Sequence, residues 1–76
     1  MRELVEFLAK SLVDEPDEVE IRTFERDQQT IIELSVAQPD LGKVIGRQGR
    51  TARALRTIVN AAAQKSRRRY TLDIVD

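Results

Sequence analysis

The stretch Leu41-Gly42-Lys43-Val44-Ile45-Gly46-Arg47-Gln48-Gly49-Arg50-Thr51 constrains this chain more than any other. It holds all three glycines of the protein. Gly46 and Gly49 lie three apart, and glycine adopts backbone conformations that other residues resist. The pair therefore predicts a sharp turn stripped of side-chain bulk. Helical patterning stands on both sides of it, so one helix must run into the turn and another must run out.

The outgoing helix is predicted over residues 50–66. Leu55, Ile58, Val59 and Ala62 recur at the i, i+3, i+4, i+7 spacing of one buried stripe. Ala52, Ala54, Ala61 and Ala63 favour helix and allow close packing. The incoming helix is short, about residues 39–45, with Pro39 suited to a first turn. Further back, residues 2–13 read as a helix whose apolar stripe is Leu4, Leu8 and Leu12 with Val5 beside it. Phe7 falls at its edge, and we read Phe7 and Phe24 as core or dimer contacts. Asp14-Glu15-Pro16-Asp17 should end this helix, because proline disfavours helical geometry in the residue before it.

Residues 19–25 alternate, with Val19, Ile21 and Thr23 on one face, and read as a half-buried strand. Arg26-Asp27-Gln28-Gln29 is a polar break short enough for a hairpin, without the Asn-Gly signal that names a turn type. Residues 30–36 form a second strand with Ile32, Leu34 and Val36 inward and Ile31 on the other face. Residues 69–75 form a third, with Tyr70, Leu72 and Ile74 inward. The order α-β-β-α-α-β predicts an α+β fold of two layers, a three-stranded mixed sheet with three helices on one face. The hairpin makes the first pairing antiparallel, and the two-helix crossover makes the other parallel. With 76 residues, one domain spanning 1–76 is expected, thin in core and marginal in stability.

Formal net charge is zero, which superficially disfavours a polyanionic partner. The distribution reverses that reading. Residues 1–42 hold four basic and eleven acidic residues, whereas residues 43–69 hold nine basic residues and no acidic one. Such asymmetry points to a polyanion on one face, or to a solvated basic helix that balances an acidic half.

The chain has no cysteine and no histidine, so disulfides, thiolate metal sites and the usual nucleophile–base pairs are excluded. No enzymatic activity, metal or cofactor is expected. Asp14, Glu15, Asp17 and Glu18 fit a solvated loop or a weak cation site better than catalysis. With no apolar signal core and no apolar run of membrane-spanning length, a soluble protein is expected, neither secreted nor membrane-spanning, with no membrane partner.

The glycine spacing, four and then three, rules out the G-x-G-x-x-G dinucleotide fingerprint, and no glycine precedes Lys-Ser or Lys-Thr as a P-loop requires. A bare Gly-x-x-Gly is often only a turn between helices. Here the long helix begins at the turn, so its free N–H groups and positive dipole end point there. Lys43, Arg47 and Arg50 supply charge around it, and Val44 and Ile45 supply an apolar wall. Phosphate contact beside an apolar groove is what single-stranded recognition needs.

In this context the run from Asp40 to Arg56 resembles the signature of a KH domain. The strand order resembles the bacterial type II arrangement, and length and motif together resemble the KhpA family of stand-alone bacterial KH proteins over essentially the whole chain. The resemblance implies that Gly46, Arg47, Gln48 and Gly49 clamp the backbone of about four unpaired nucleotides. It implies that Ile45 is the base platform, with Val44 in the core, and that Arg50, Thr51 and Arg53 border the groove; Lys43 adds charge beside them. It implies a small cytoplasmic RNA-binding regulator or RNA chaperone linked to small RNAs, envelope growth and cell division. Its expected partners are single-stranded RNA, a second copy as a homodimer, or a larger KhpB-like KH protein. Single-stranded DNA binding and a pure protein-interaction role stay open, the latter with Ile31 at an apolar sheet edge. Arg67-Arg68-Arg69 either extends the phosphate track or is a solvated helix end, and Tyr70 either stacks on a base or packs.

Overall fold

The computed structural model describes residues 1–75. In chain order they form α1 (Arg2–Leu12), β1 (Glu20–Arg26), β2 (Gln29–Ser35), α2 (Leu41–Ile45), α3 (Arg50–Ser66) and β3 (Arg69–Ile74). Single 3-10 turns at Pro16–Glu18, Gln38–Asp40 and Arg47–Gly49 link several of them. This is the expected α+β order, with every boundary within two residues of the sequence reading.

The sheet order is β1-β2-β3. β1 and β2 pair antiparallel from Glu20 opposite Ser35 to Arg26 opposite Gln29. β2 and β3 pair parallel from Gln29 beside Arg69 to Leu34 beside Ile74. Asp27 and Gln28 close the hairpin with φ of 52° and 65°. Positive φ at both central residues is the type I′ pattern, whose twist matches that of the strands. It is reached here without glycine because aspartate tolerates left-handed backbone better than most residues.

Alternation then decides the core. β2 is central, and its inward Ile32 and Leu34 are fully buried. They join Ile21 of β1 and Leu72 of β3 beneath Val5 and Ala9 of α1 and Leu55 and Val59 of α3. The helices lie on this one face, α1 and α3 on the sheet and α2 against both of them, and the opposite face is left open.

Three burial expectations are corrected. On α1 the buried pair is Val5 and Ala9, and Leu12 is 39% exposed. Leu4 and Leu8 each precede a buried residue by one position, about 100° around the helix, so they flank the contact line half-buried, and Leu12 follows them at the last residue of α1. On α3 the buried residues are Ala52, Leu55, Val59 and Ala63, while Ile58 is 41% exposed. The small alanines let α3 approach closely on their side of the helix and tip Ile58 outward. Phe7 and Phe24 are exposed and lie outside the core, as is Thr23.

Candidate nucleic-acid interface

α2 ends at Gly46, whose N–H donates to the Gly42 carbonyl oxygen at 2.8 Å. Gly46 takes φ 76° and ψ 172°, a region that is essentially glycine-only. Space enforces the same choice: a Cβ on Gly46 would lie 2.7 Å from Thr51 Cβ and 2.8 Å from the Thr51 backbone nitrogen. Thr51 is thus packed against the turn, and its backbone closes on Gly46 because no side chain intervenes.

Gly49 has a different reason. It is left-handed, with φ 75° and ψ 14°, and forms the N-cap of α3. Its N–H donates to the Gly46 carbonyl oxygen at 3.1 Å. An added Cβ would meet nothing within 4 Å, so only the backbone angle favours glycine there. Gln48 is also left-handed, at φ 57° and ψ 25°. No side chain caps α3, so the first-turn amides and the positive end of the helix face outward over the glycine turn.

Around this turn Arg47, Gln48, Arg50 and Arg53 are exposed, and Ile45 is half-buried beside the fully buried Val44. The Arg50 guanidinium donates to the Gln48 side-chain carbonyl oxygen at 3.3 Å, which ties the turn to the first residue of α3. No ion pair among the described residues involves an arginine. Arg47, Arg50 and Arg53 therefore present whole charges. Arg56 is partly committed, donating through Nε to the Leu72 carbonyl oxygen at 3.3 Å.

Lys43 stands in a different environment from these arginines. Its ammonium is ion-paired with Asp14 and lies 3.2 Å from Asp40 Oδ1. Asp40 is the one fully buried charged residue among those described, at 1% exposure, and its other oxygen accepts from the Glu15 N–H at 3.0 Å. Burial pushes the Asp40 carboxyl upward, but hydrogen bonds from the Glu15 and Asp14 amides and from Lys43 outweigh it and hold the pKa below its ordinary 3.8. Hydrogen bonds to Asp14 and then Asp40 raise Lys43 above its ordinary 10.5. The cluster staples the α1–β1 loop to the start of α2 and so orients the helix that delivers the glycine turn. Asp40 was missed as a functional residue in the sequence; the available signal was an acid three residues before a lysine at a helix start.

The expected site residues fall into one continuous segment, from Lys43 through the turn to Arg53 on α3. Tyr70 packs against the core. Arg67, Arg68 and Arg69 gather at the opposite end of α3 and are exposed. No group of three or more potential metal-ligating side chains occurs among the described residues, and no helix among them is long and apolar enough to cross a membrane.

The family model "KhpA/KhpB, KH domain" matches residues 2–74. The chain is 54% identical over 74 residues to the RNA-binding protein KhpA of Borreliella burgdorferi, covering 97% of this chain and 90% of that one. It is 54% identical over 76 residues to the RNA-binding protein KhpA of Halalkalibacterium halodurans, covering both chains in full. The corresponding Aquifex aeolicus protein is 46% identical over 76 residues, covering 100% of this chain and 96% of that one. No solved structure matches the chain.

Proposed function

The chain belongs to the KhpA/KhpB KH-domain family, and on that premise we propose that it binds single-stranded RNA without chemically altering it. The observation that carries this reading is the glycine turn itself. Gly46 lets Thr51 close the turn from behind, Gly49 presents its main chain to open space without a side chain, and the uncapped end of α3 opens beside them. Arg47 and Arg50 add unpaired charge. In this reading Gly46, Arg47, Gln48 and Gly49 clamp the RNA backbone, and Ile45 carries a base. Arg50 and Arg53 follow the phosphates along α3. Thr51 shapes the turn from behind, and Lys43 acts from within its acidic cluster.

The relatives' name, RNA-binding protein KhpA, supports RNA as the ligand. We carry the reading further, to a cytoplasmic post-transcriptional regulator or RNA chaperone serving envelope growth and cell division. It acts as a homodimer or with a KhpB-like KH protein. The exposed Phe7, Phe24 and Ile58 side chains support pairing, and they equally favour the second reading, a protein-interaction module whose glycine loop is only a turn.

The experiment is a titration of labelled single-stranded RNA, and of DNA of the same sequence, at rising salt. A log–log slope of about −0.7 per phosphate neutralised is expected. Replacing Arg47 and Arg50 by glutamine should flatten it by about 1.4 for two lost phosphate contacts. A slope already flat in the wild type would remove the phosphate grip, and tighter binding to DNA would change the ligand class.

A further inference from the structure

A second concentration of charge lies at the far end of α3. The helix is 17 residues long, which places its C-terminal end about 25 Å from the glycine turn. There Arg67, Arg68 and Arg69 ring a cleft of about 360 Å³ whose other polar walls include Gln29, Asn60 and Gln64, with no acidic residue among them. None of the three arginines makes an ion pair among the described residues. Arg68 also borders a second cleft with Arg26, whose lining includes the acidic Glu25 and Asp27.

Compensation of the α3 dipole does not account for this cluster. Lys65 already occupies the last turn, and the effect fades within that turn, whereas Arg69 lies in β3. Arg67 ends the helix in the left-handed conformation, with φ 58° and ψ 24°, where glycine is the least strained residue. A guanidinium is held at a position that backbone energetics would give to glycine.

The two ends are connected. Arg53, Thr57, Asn60, Gln64 and Arg67 are exposed and recur at alternating four- and three-residue steps, which aligns them on one side of α3. No acidic residue occurs between Lys43 and Leu72. From this we infer that the Arg67–Arg69 cleft is a second phosphate-binding site, which holds the backbone of the same RNA strand beyond the nucleotides gripped at Gly46–Gly49. Planar guanidinium forks match phosphate oxygens. A KH groove accommodates about four nucleotides, so the distal cleft engages only longer strands. The site rests on the RNA-binding reading above, and it makes affinity depend on RNA length.

The test compares an unstructured four-nucleotide and a twelve-nucleotide RNA on wild type and on the triple variant Arg67→Gln, Arg68→Gln, Arg69→Gln. The twelve-mer should bind wild type at least tenfold more tightly than the four-mer. The triple variant should abolish that step, leave the four-mer within twofold, and reduce the salt slope for the twelve-mer by about 2. Arg67→Gly is the companion variant: it relieves the left-handed strain while removing one guanidinium, so it stays folded and should lose part of the same step. An unchanged length step in both variants overturns the distal site. So does an equal loss for both RNAs, which marks only a general electrostatic field. Wild-type binding to anionic phospholipid vesicles without a length step on RNA also overturns it and reassigns the arginines to a membrane surface. A wild type that binds neither RNA overturns the reading of the glycine turn as well, and is distinguishable from loss of the length step alone.

Discussion

At the scale of single residues, the two turn glycines look equivalent in sequence and are unequal in the structure. Gly46 is fixed by its backbone angle and by Thr51 behind it. Gly49 is fixed by its angle alone. Gly49→Ala should therefore cost about 1–2 kcal/mol, the penalty of left-handed backbone for a residue with a Cβ. Gly46→Ala should cost clearly more, read as a larger drop in urea midpoint at unchanged m. Equal costs would contradict the close approach of Thr51. Asp40 supports a second prediction. Its folded pKa is lowered, so the stability it contributes is present above its ordinary 3.8 and is lost as pH falls through the lower folded value. Lys43 is raised, so its contribution is present below 10.5 and is lost as pH rises through the folded value. The gap between wild type and Asp40→Asn should hold steady from mildly acidic to mildly alkaline pH and close in strong acid. A gap that widened as pH fell below 3.8 would contradict the lowered carboxyl.

At the scale of elements, what could be read from the sequence depended on period. The strands were legible because period two fixes both the element and its face: Ile32, Leu34 and Leu72 point inward as expected. The helices were legible as elements and their buried faces in part: Val5, Leu55 and Val59 are buried as expected, whereas Leu12 and Ile58 are not. Rotation of a helix about its axis is set by what it packs on, and Val5–Ala9 and Ala52–Ala63 take lines that the larger Leu12 and Ile58 leave. Leu34→Ala should thus cost about 2–5 kcal/mol. Leu12→Ala, at a helix end, should cost well under half of that in the same denaturant titration. The glycine turn was legible because three glycines in one segment have few other uses. The Asp40–Lys43–Asp14 cluster was not, because it joins residues 29 apart and only the folded chain brings them together.

At the scale of the whole molecule, zero net charge conceals a division of labour. The ion pairs among the described residues use only lysines as their cations. The arginines are left without an opposing charge, and those of the second half lie along α3 and at its two ends. The fold serves this arrangement: a sheet with one covered face supports a long helix whose start is the glycine turn. The most direct measurement of that turn's role compares Gly49→Asp with Gly49→Asn in binding single-stranded RNA. Both residues tolerate left-handed backbone, and an added Cβ at Gly49 meets nothing, so both variants should keep the far-ultraviolet circular dichroism of the wild type. Their side chains are alike in size and differ in charge. If the turn holds the RNA backbone, the aspartate variant should bind at least tenfold more weakly than the asparagine variant at low salt. Equal affinities for the two folded variants would contradict a phosphate clamp at Gly46–Gly49.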